Sequence, residues 1–275
     1  MKNMKLAICE WVTPIKGPSI FPRLKSLGID GIQLDDWDAH AQNHPLTQPY
    51  VQTLYRDAAA ASGMELIGMA GNALGRDGGM IFPPETEQGQ RCWNDFTHGL
   101  DACAQMGMPV YLAPAFFAGF PRTQHDRMRI ALRLREACQY APSVCVALES
   151  IFPARELCTL YNWLNQPNFG IYYDTQNPVT YAGIDVAADI RAIGSGKIVQ
   201  IHVKDGVNSI QGSVLLGTGE TDFFGAARAI RDIGYDGWIV LENYYSRPCF
   251  CSEYTDPWDR IARDVEIARQ AFDIT

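Results

Sequence analysis

The chain has 275 residues, of which 47% are apolar and 20% charged, and its net charge is −8. That is enough apolar side chain for a sizeable core, while the acidic balance excludes extended contact with a polyanion such as DNA, which is held by Lys and Arg neutralising phosphates. No apolar run reaches the ~20 residues of a membrane span, and Glu10 and Trp11 interrupt the apolar start of the chain, so no membrane partner and a cytoplasmic location are expected.

From the N-terminus onward, short apolar runs alternate with amphipathic stretches. The predicted strands are Leu6–Trp11, Gly31–Leu34, Glu65–Ala70, Val110–Ala113, Cys145–Glu149, Gly170–Asp174, Val199–Val203 and Trp238–Glu242. Helical patterning falls between them, at Pro49–Ala61, Gly89–Met106, Arg127–Tyr140, Arg155–Asn165, Phe223–Ile233 and Trp258–Phe272. Pro153, Asp222 and Asp256-Pro257 stand where helix starts need them. Gly28, Gly63, Gly107 and Gly234 stand where helices end before a strand. Gly71–Pro84, rich in Gly, Pro and Asn, reads as a long loop over one end of the sheet.

Strict strand–helix alternation implies a parallel sheet in an α/β protein. Eight units in a chain of this length predict one domain over residues 1–275, closed as a (β/α)₈ TIM barrel. The glycine-rich phosphate fingerprint of a dinucleotide fold is missing after the first strand, where Glu10-Trp-Val-Thr-Pro14 stands instead.

Four of the later strands end in a polar residue: Glu149, Asp174, His202 and Glu242. The gaps of 25, 28 and 40 residues (149 to 174, 174 to 202, 202 to 242) are each about one strand–helix unit. In a parallel barrel all four ends lie at one rim, the C-terminal mouth where such enzymes carry their chemistry. Three carboxylates and one imidazole form a hard oxygen and nitrogen donor set, suited to one divalent ion: Mn, Mg, Co or Zn. A cation on the oxygens of a hydroxy-carbonyl compound would make the adjacent carbon acidic. Glu149 and Glu242, approaching from opposite sides, could then remove and return a proton.

The stretches Val146-Ala-Leu-Glu149, Tyr173-Asp-Thr-Gln-Asn177, Ile201-His-Val-Lys-Asp205, Leu216-Gly-Thr-Gly-Glu-Thr-Asp-Phe223 and Gly234-Tyr-Asp-Gly-Trp-Ile-Val-Leu-Glu242 carry a resemblance. Together they resemble the sugar phosphate isomerase/epimerase family with xylose isomerase-like barrels. That family also includes ketose 3-epimerases, inosose-processing enzymes and endonuclease IV. The resemblance implies Glu149, Asp174, His202 and Glu242 as metal ligands, with Glu149 and Glu242 as the catalytic acid/base pair. It implies Asn177 and Lys204 as substrate contacts, and a small carbohydrate as substrate, reacting through a metal-bound enediolate. The loop Gly206–Gln211 lacks the Arg that ketose epimerases often carry there; Arg247 is the candidate to bring a guanidinium from another direction.

Two further enzyme classes share such a barrel. An inosose-dehydratase-type lyase would use the same metal and proton abstraction and expel a hydroxyl. An endonuclease IV-like hydrolase needs extra His ligands, and the third and fourth strand ends, Gly68–Asn72 and Leu112–Phe116, contain none. A non-catalytic carbohydrate-binding barrel would need no acid/base pair. The eight cysteines read as buried small hydrophobes in a reducing compartment, with Cys249 and Cys251 candidates for a loop near the site. Trp11, Trp37, Phe116, Phe117, Tyr244 and Tyr245 are aromatic candidates for the rim. The oligomeric state, including a homo-oligomer, is left open.

Overall fold

Short β-branched and apolar runs, each bounded by a helix-ending glycine or a polar turn, set the strands. In this computed structural model, residues 4–35, 43–76, 78–247, 250 and 256–274 are described. The strands are β1 (Lys5–Cys9), β2 (Gly31–Asp35), β3 (Glu65–Ala70), β4 (Val110–Pro114), β5 (Cys145–Glu149), β6 (Phe169–Asp174), β7 (Ile198–Val203) and β8 (Trp238–Leu241). All pair in parallel in sequence order, and β1 pairs with both β2 and β8, so the barrel closes.

The helices are α1 (Phe21–Ser26), α2 (Pro49–Ser62), α3 (Asn72–Arg76), α4 (Glu87–Met106), α5 (Gln124–Tyr140), α6 (Ala154–Leu164), α7 (Asn177–Ala182), α8 (Val186–Ile193), α9 (Phe223–Asp232) and α10 (Pro257–Ala271). Gly63 and Gly107 end α2 and α4 in the left-handed conformation, at φ of 63° and 72°, which only glycine adopts without Cβ strain. Asp222 and Asp256 accept the first amides of α9 and α10, from Gly225 and Trp258.

One face of each strand packs outward on the helices. Leu6, Ile8, Ile32, Ile67, Leu148, Ile171 and Ile239 are buried there, each worth about 1.5–3 kcal/mol of transfer free energy. The alternate face fills the barrel. Ala70, Val110, Leu112, Ala147 and Tyr172 form a separate apolar cluster inside it. The period of two then carries Glu149, Asp174 and His202 inward at the strand tops, with Asp174 directly opposite His202 in the β6–β7 register. Among the described residues no helix is long and apolar enough to cross a membrane.

Two expectations are corrected. The first strand ends at Cys9, because Thr13 donates from both its amide (3.1 Å) and its hydroxyl (2.7 Å) to the Glu10 carbonyl and curls Glu10–Val12 into a 3-10 turn. Glu10 is thereby turned to Tyr55 Oη (2.6 Å) and the Gly17 amide (2.9 Å). The stretch Gly71–Pro84 is not all loop: it holds α3 and a 3-10 turn at Gly79–Ile81, anchored by buried Ala73, Leu74 and Met80. Both pieces are too short to show a 3.6-residue period.

Candidate metal centre and active site

Each of the three carboxylates has one oxygen held in place by a donor. Asp174 Oδ1 accepts the backbone amides of Gln176 (2.7 Å) and Asn177 (2.6 Å) as the chain turns into α7. Glu242, just past β8, accepts the Trp11 indole N–H on Oε1 at 3.1 Å. Glu149 Oε1 accepts the Asn177 side-chain amide at 3.0 Å. The oxygens then converge on one imidazole nitrogen: His202 Nδ1 lies 3.7 Å from Glu149 Oε1, 3.9 Å from Asp174 Oδ2 and 3.3 Å from Glu242 Oε2. One donor atom from each of these four buried residues lies within 4.8 Å of the others.

His202 Nδ1 is buried and makes no hydrogen bond to any described residue, and Asp174 Oδ2 makes no aligned one. An imidazole nitrogen left unpaired among three carboxylates is costly unless a cation or a proton completes it. The donor set fits a divalent ion, with oxygens from three acids and nitrogen from one histidine.

Lys204 extends from the top of β7 into the same cluster. Its ammonium is buried, 2.8 Å from Asp174 Oδ2 and 2.6 Å from Glu242 Oε2. Asp205, its neighbour in sequence, is not its partner. Asp205 instead gathers the following loop by accepting the amides of Gly206, Gly217, Gly219 and Thr221 and the Thr221 hydroxyl. The Gly-Thr-Gly-Glu-Thr-Asp segment thus shapes the rim. Asn243 braces it from just beyond β8, accepting the Asp205 amide and donating to Val214 O and Asp264.

The electrostatics separate the two glutamates. Burial pushes the Glu149 carboxyl above the usual range, and the nearby His202 offsets only part of that. Burial acts on Glu242 in the same sense, but His202, the Lys204 ammonium and the Trp11 hydrogen bond outweigh it and hold Glu242 below the usual range. For His202, burial opposes the charge, yet Glu242, Glu149 and Asp174 raise its basicity overall. Two carboxylates with pKa values driven apart suit opposite proton-transfer roles.

The other sequence candidates divide. Asn177 is buried beside Glu149. Arg247 is exposed, stacked 3.6 Å over the Tyr244 ring, and is not drawn among the four donors. Trp11 covers the cluster, its ring centroid 5.9 Å from that of His202. Phe117 is 68% exposed, and Tyr245 is fully buried with its hydroxyl on Asp264. Trp37, Cys249 and Cys251 lie outside the described residues.

Sequence reasoning missed Gln33 and Cys9. Both are fully buried inside the barrel beneath His202, with Gln33 Oε1 2.7 Å and Cys9 Sγ 3.4 Å from Nε2. A signal existed for Gln33: a carboxamide inside the apolar run Gly31–Leu34 is out of place in a parallel strand buried on both faces.

Comparison with known proteins agrees with this architecture. The chain is 27% identical to a 2-epi-5-epi-valiolone 7-phosphate 2-epimerase of Actinoplanes sp. over 97% of its own length and 94% of that protein. Its fold is similar to that of D-psicose 3-epimerase from Clostridium cellulolyticum H10, with a TM-score of 0.77 at 16% identity over 98% of this chain and 99% of the other. It is also similar to the E. coli 3-keto-D-glucoside 4-epimerase, with a TM-score of 0.72 at 17% identity over 98% and 100% of the two chains. These two likenesses bear on fold alone. The model of one family, described as the xylose isomerase-like TIM barrel, matches residues 21–271. With a closed eight-stranded barrel and a match over nearly its whole length, the chain belongs to the xylose isomerase-like TIM barrel family.

Proposed function

We propose that this protein is a metal-dependent epimerase of a small polyhydroxy carbonyl compound, free or phosphorylated, acting by proton abstraction beside the carbonyl. The observation that carries the reading is the pair Glu149 and Glu242. They stand on β5 and beyond β8, on either side of His202, with opposite displacements of their pKa values. The epimerase activity named for the sequence relative supports the same class.

Glu149, Asp174, His202 and Glu242 would hold the cation, which supplies positive charge that stabilises an enediolate and so acidifies the carbon next to the carbonyl. Glu242, held ionised, takes the proton from that carbon on one face. Glu149, which retains its proton more readily, returns a proton to the opposite face, and the carbon leaves with inverted configuration. The proton gained by Glu242 and lost by Glu149 then exchanges with solvent. Lys204 and Asn177 offer N–H donors to substrate oxygens at the same mouth, and Arg247 on the rim offers a further contact to a distal anionic group.

The test is a panel of ketoses, ketose phosphates and inososes in D₂O with Mn²⁺-loaded protein. The expected result is one substrate that gains deuterium at a single carbon and inverts there, with turnover abolished by EDTA. Metal-dependent loss of water from an inosose would instead identify a lyase, and turnover unaffected by EDTA would remove the metal.

A further inference from the structure

A histidine can serve a cation through only one nitrogen at a time, and the proton on the other nitrogen decides which. Here the nitrogen facing the three carboxylates is Nδ1, and Nε2 points down into the barrel. The atom that meets Nε2 is Gln33 Oε1 at 2.7 Å, the shortest contact the ring makes. We propose that Gln33 is a positioning residue: its carbonyl oxygen holds the proton of His202 on Nε2, so that Nδ1 presents a lone pair to the cation. This rests on the metal reading above.

Several observations converge on that one oxygen. The Tyr172 hydroxyl reaches Gln33 Oε1 at 3.3 Å and the Cys9 thiol reaches it at 3.5 Å. Both are buried hydrogen-bond donors. Proton carriers on three sides favour an acceptor at the centre. Reversing the carboxamide would bring its NH₂ to Nε2 and move the ring proton to Nδ1, where it would block a cation. The Gln33 Nε2 atom, by contrast, has no hydrogen-bond partner among the described residues. A buried donor left unpaired is an expense the fold carries in order to aim the oxygen. Tyr172 also packs against the imidazole, with ring centroids 4.4 Å apart, so orientation and tautomer are fixed by the same floor.

Gln33 reaches this position through the barrel itself. It is opposite Cys9 in the β1–β2 register and fully buried, against the Nε2 side of His202. Its full burial keeps it from the solvent side of the barrel, so its influence would run through the affinity and geometry of the metal. Partners of this kind behind a metal-bound imidazole typically change metal affinity 10–100-fold when removed.

The test compares Gln33→Met, which keeps length and removes the acceptor, with Gln33→Glu, which keeps an acceptor oxygen. Mn²⁺ affinity is read by EPR of free Mn²⁺, and folding of the metal-free proteins by far-UV CD and thermal melting. The expected result is about 10–100-fold weaker Mn²⁺ binding in Gln33→Met and affinity equal to or tighter than wild type in Gln33→Glu. Independently of either variant, long-range ¹H–¹⁵N spectra of wild-type protein loaded with Zn²⁺ should show the His202 proton on Nε2, the signal assigned by its loss in His202→Asn. A proton on Nδ1 would overturn the proposal, as would unchanged Mn²⁺ affinity in folded Gln33→Met. Equal weakening in both folded variants would also overturn it, since any packing disturbance would then suffice. Wild-type protein that binds no divalent ion would remove the metal reading and this one with it. A wild type that binds Mn²⁺ beside an equally competent Gln33→Met would remove only the role of Gln33.

Discussion

Lys204 Nζ lies 2.6 Å from Glu242 Oε2, the same oxygen that approaches His202 Nδ1 at 3.3 Å. A divalent ion at His202 would therefore share one carboxylate oxygen with the ammonium, and Asp174 Oδ2 as well. The lysine neutralises part of a cluster of three acids and would repel any cation that the same acids attract.

Lys204→Met should separate these effects. Removing a positive charge beside the metal position strengthens Mn²⁺ binding, by about tenfold or more at the effective dielectric of a buried site. Without metal the variant should be less stable, by about 3–5 kcal/mol, because buried carboxylates lose their partner. Its turnover should fall despite better metal occupancy. Isothermal titration with Mn²⁺ and melting with and without the ion provide the readout. Weaker metal binding in the variant would show that Lys204 organises the ligands more than it competes for them.

Metal binding should depend on pH with a defined sign. The carboxylates raise the basicity of His202, so its imidazole holds a proton that a cation must displace. Affinity should fall as pH drops toward and below the raised imidazole pKa, above the ordinary value of about 6.5. Titrations in buffers of different ionisation enthalpy should show net proton release on Mn²⁺ binding near neutral pH. Proton uptake, or an affinity that does not vary between about pH 6 and 8, would contradict this arrangement of charges.

The barrel and its four polar strand ends were legible in the chain because both arise from simple periodicities. Apolar runs of four to six residues followed by helix-length amphipathic stretches specify the β-α alternation. Glu149, Asp174, His202 and Glu242 each stand at the end of such a run, so topology alone brings them to one rim. What decides the surroundings of each side chain was less visible. Lys204 is adjacent to Asp205 in sequence, yet the structure pairs it with residues 30 and 38 positions away, Asp174 and Glu242. Side-chain direction at a strand end depends on the turn that follows, and here Asp205 is taken up by its own loop. Trp11 was expected on a strand; the 3-10 turn made by Thr13 carries it over Glu242. Gln33 was passed over because polar residues inside a strand are a weak signal without the residue they face.

Asp264 should give the folded protein a recognisable pH signature away from the four-residue cluster. It is fully buried under the β8 rim, accepting hydrogen bonds from Leu216 N (2.9 Å), Asn243 Nδ2 (2.7 Å) and Tyr245 Oη (2.9 Å), and burial pushes its carboxyl up to about 7 from 3.8. Between those values the folded state keeps a proton that the unfolded chain has released. Stability from this group is therefore fully present below pH 3.8 and is lost as pH rises to about 7, at about 1.4 kcal/mol per pH unit. Asp264→Asn cannot titrate, so the difference in unfolding free energy between pH 5 and pH 7 should shrink by about 2 kcal/mol in urea denaturation. An unchanged difference would mean that the three donors keep Asp264 ionised throughout.

The two glutamates should fail in different ways. Glu242 is ionised and directed at the cluster through Oε2, with Oε1 fixed by Trp11. Glu149 holds its proton more readily and is fixed by Asn177. Replacing either by Gln preserves size and one oxygen but ends proton transfer, and general acid–base groups contribute ~10²–10⁴-fold, so kcat should fall by about that factor in each variant while KM changes little. If Glu242 abstracts the proton, Glu242→Gln should lose both turnover and deuterium exchange into substrate. Glu149→Gln should retain slow exchange from one face without inversion, because the carbon is still deprotonated but is reprotonated only from the side it left. Mass spectrometry of recovered substrate after incubation in D₂O distinguishes the two. Equal exchange in both variants would reject the division of labour between the two glutamates, and full turnover in Glu242→Gln without label entering the product would reject proton transfer and favour a hydride shift, in which Lys204 and the cation matter more than either glutamate.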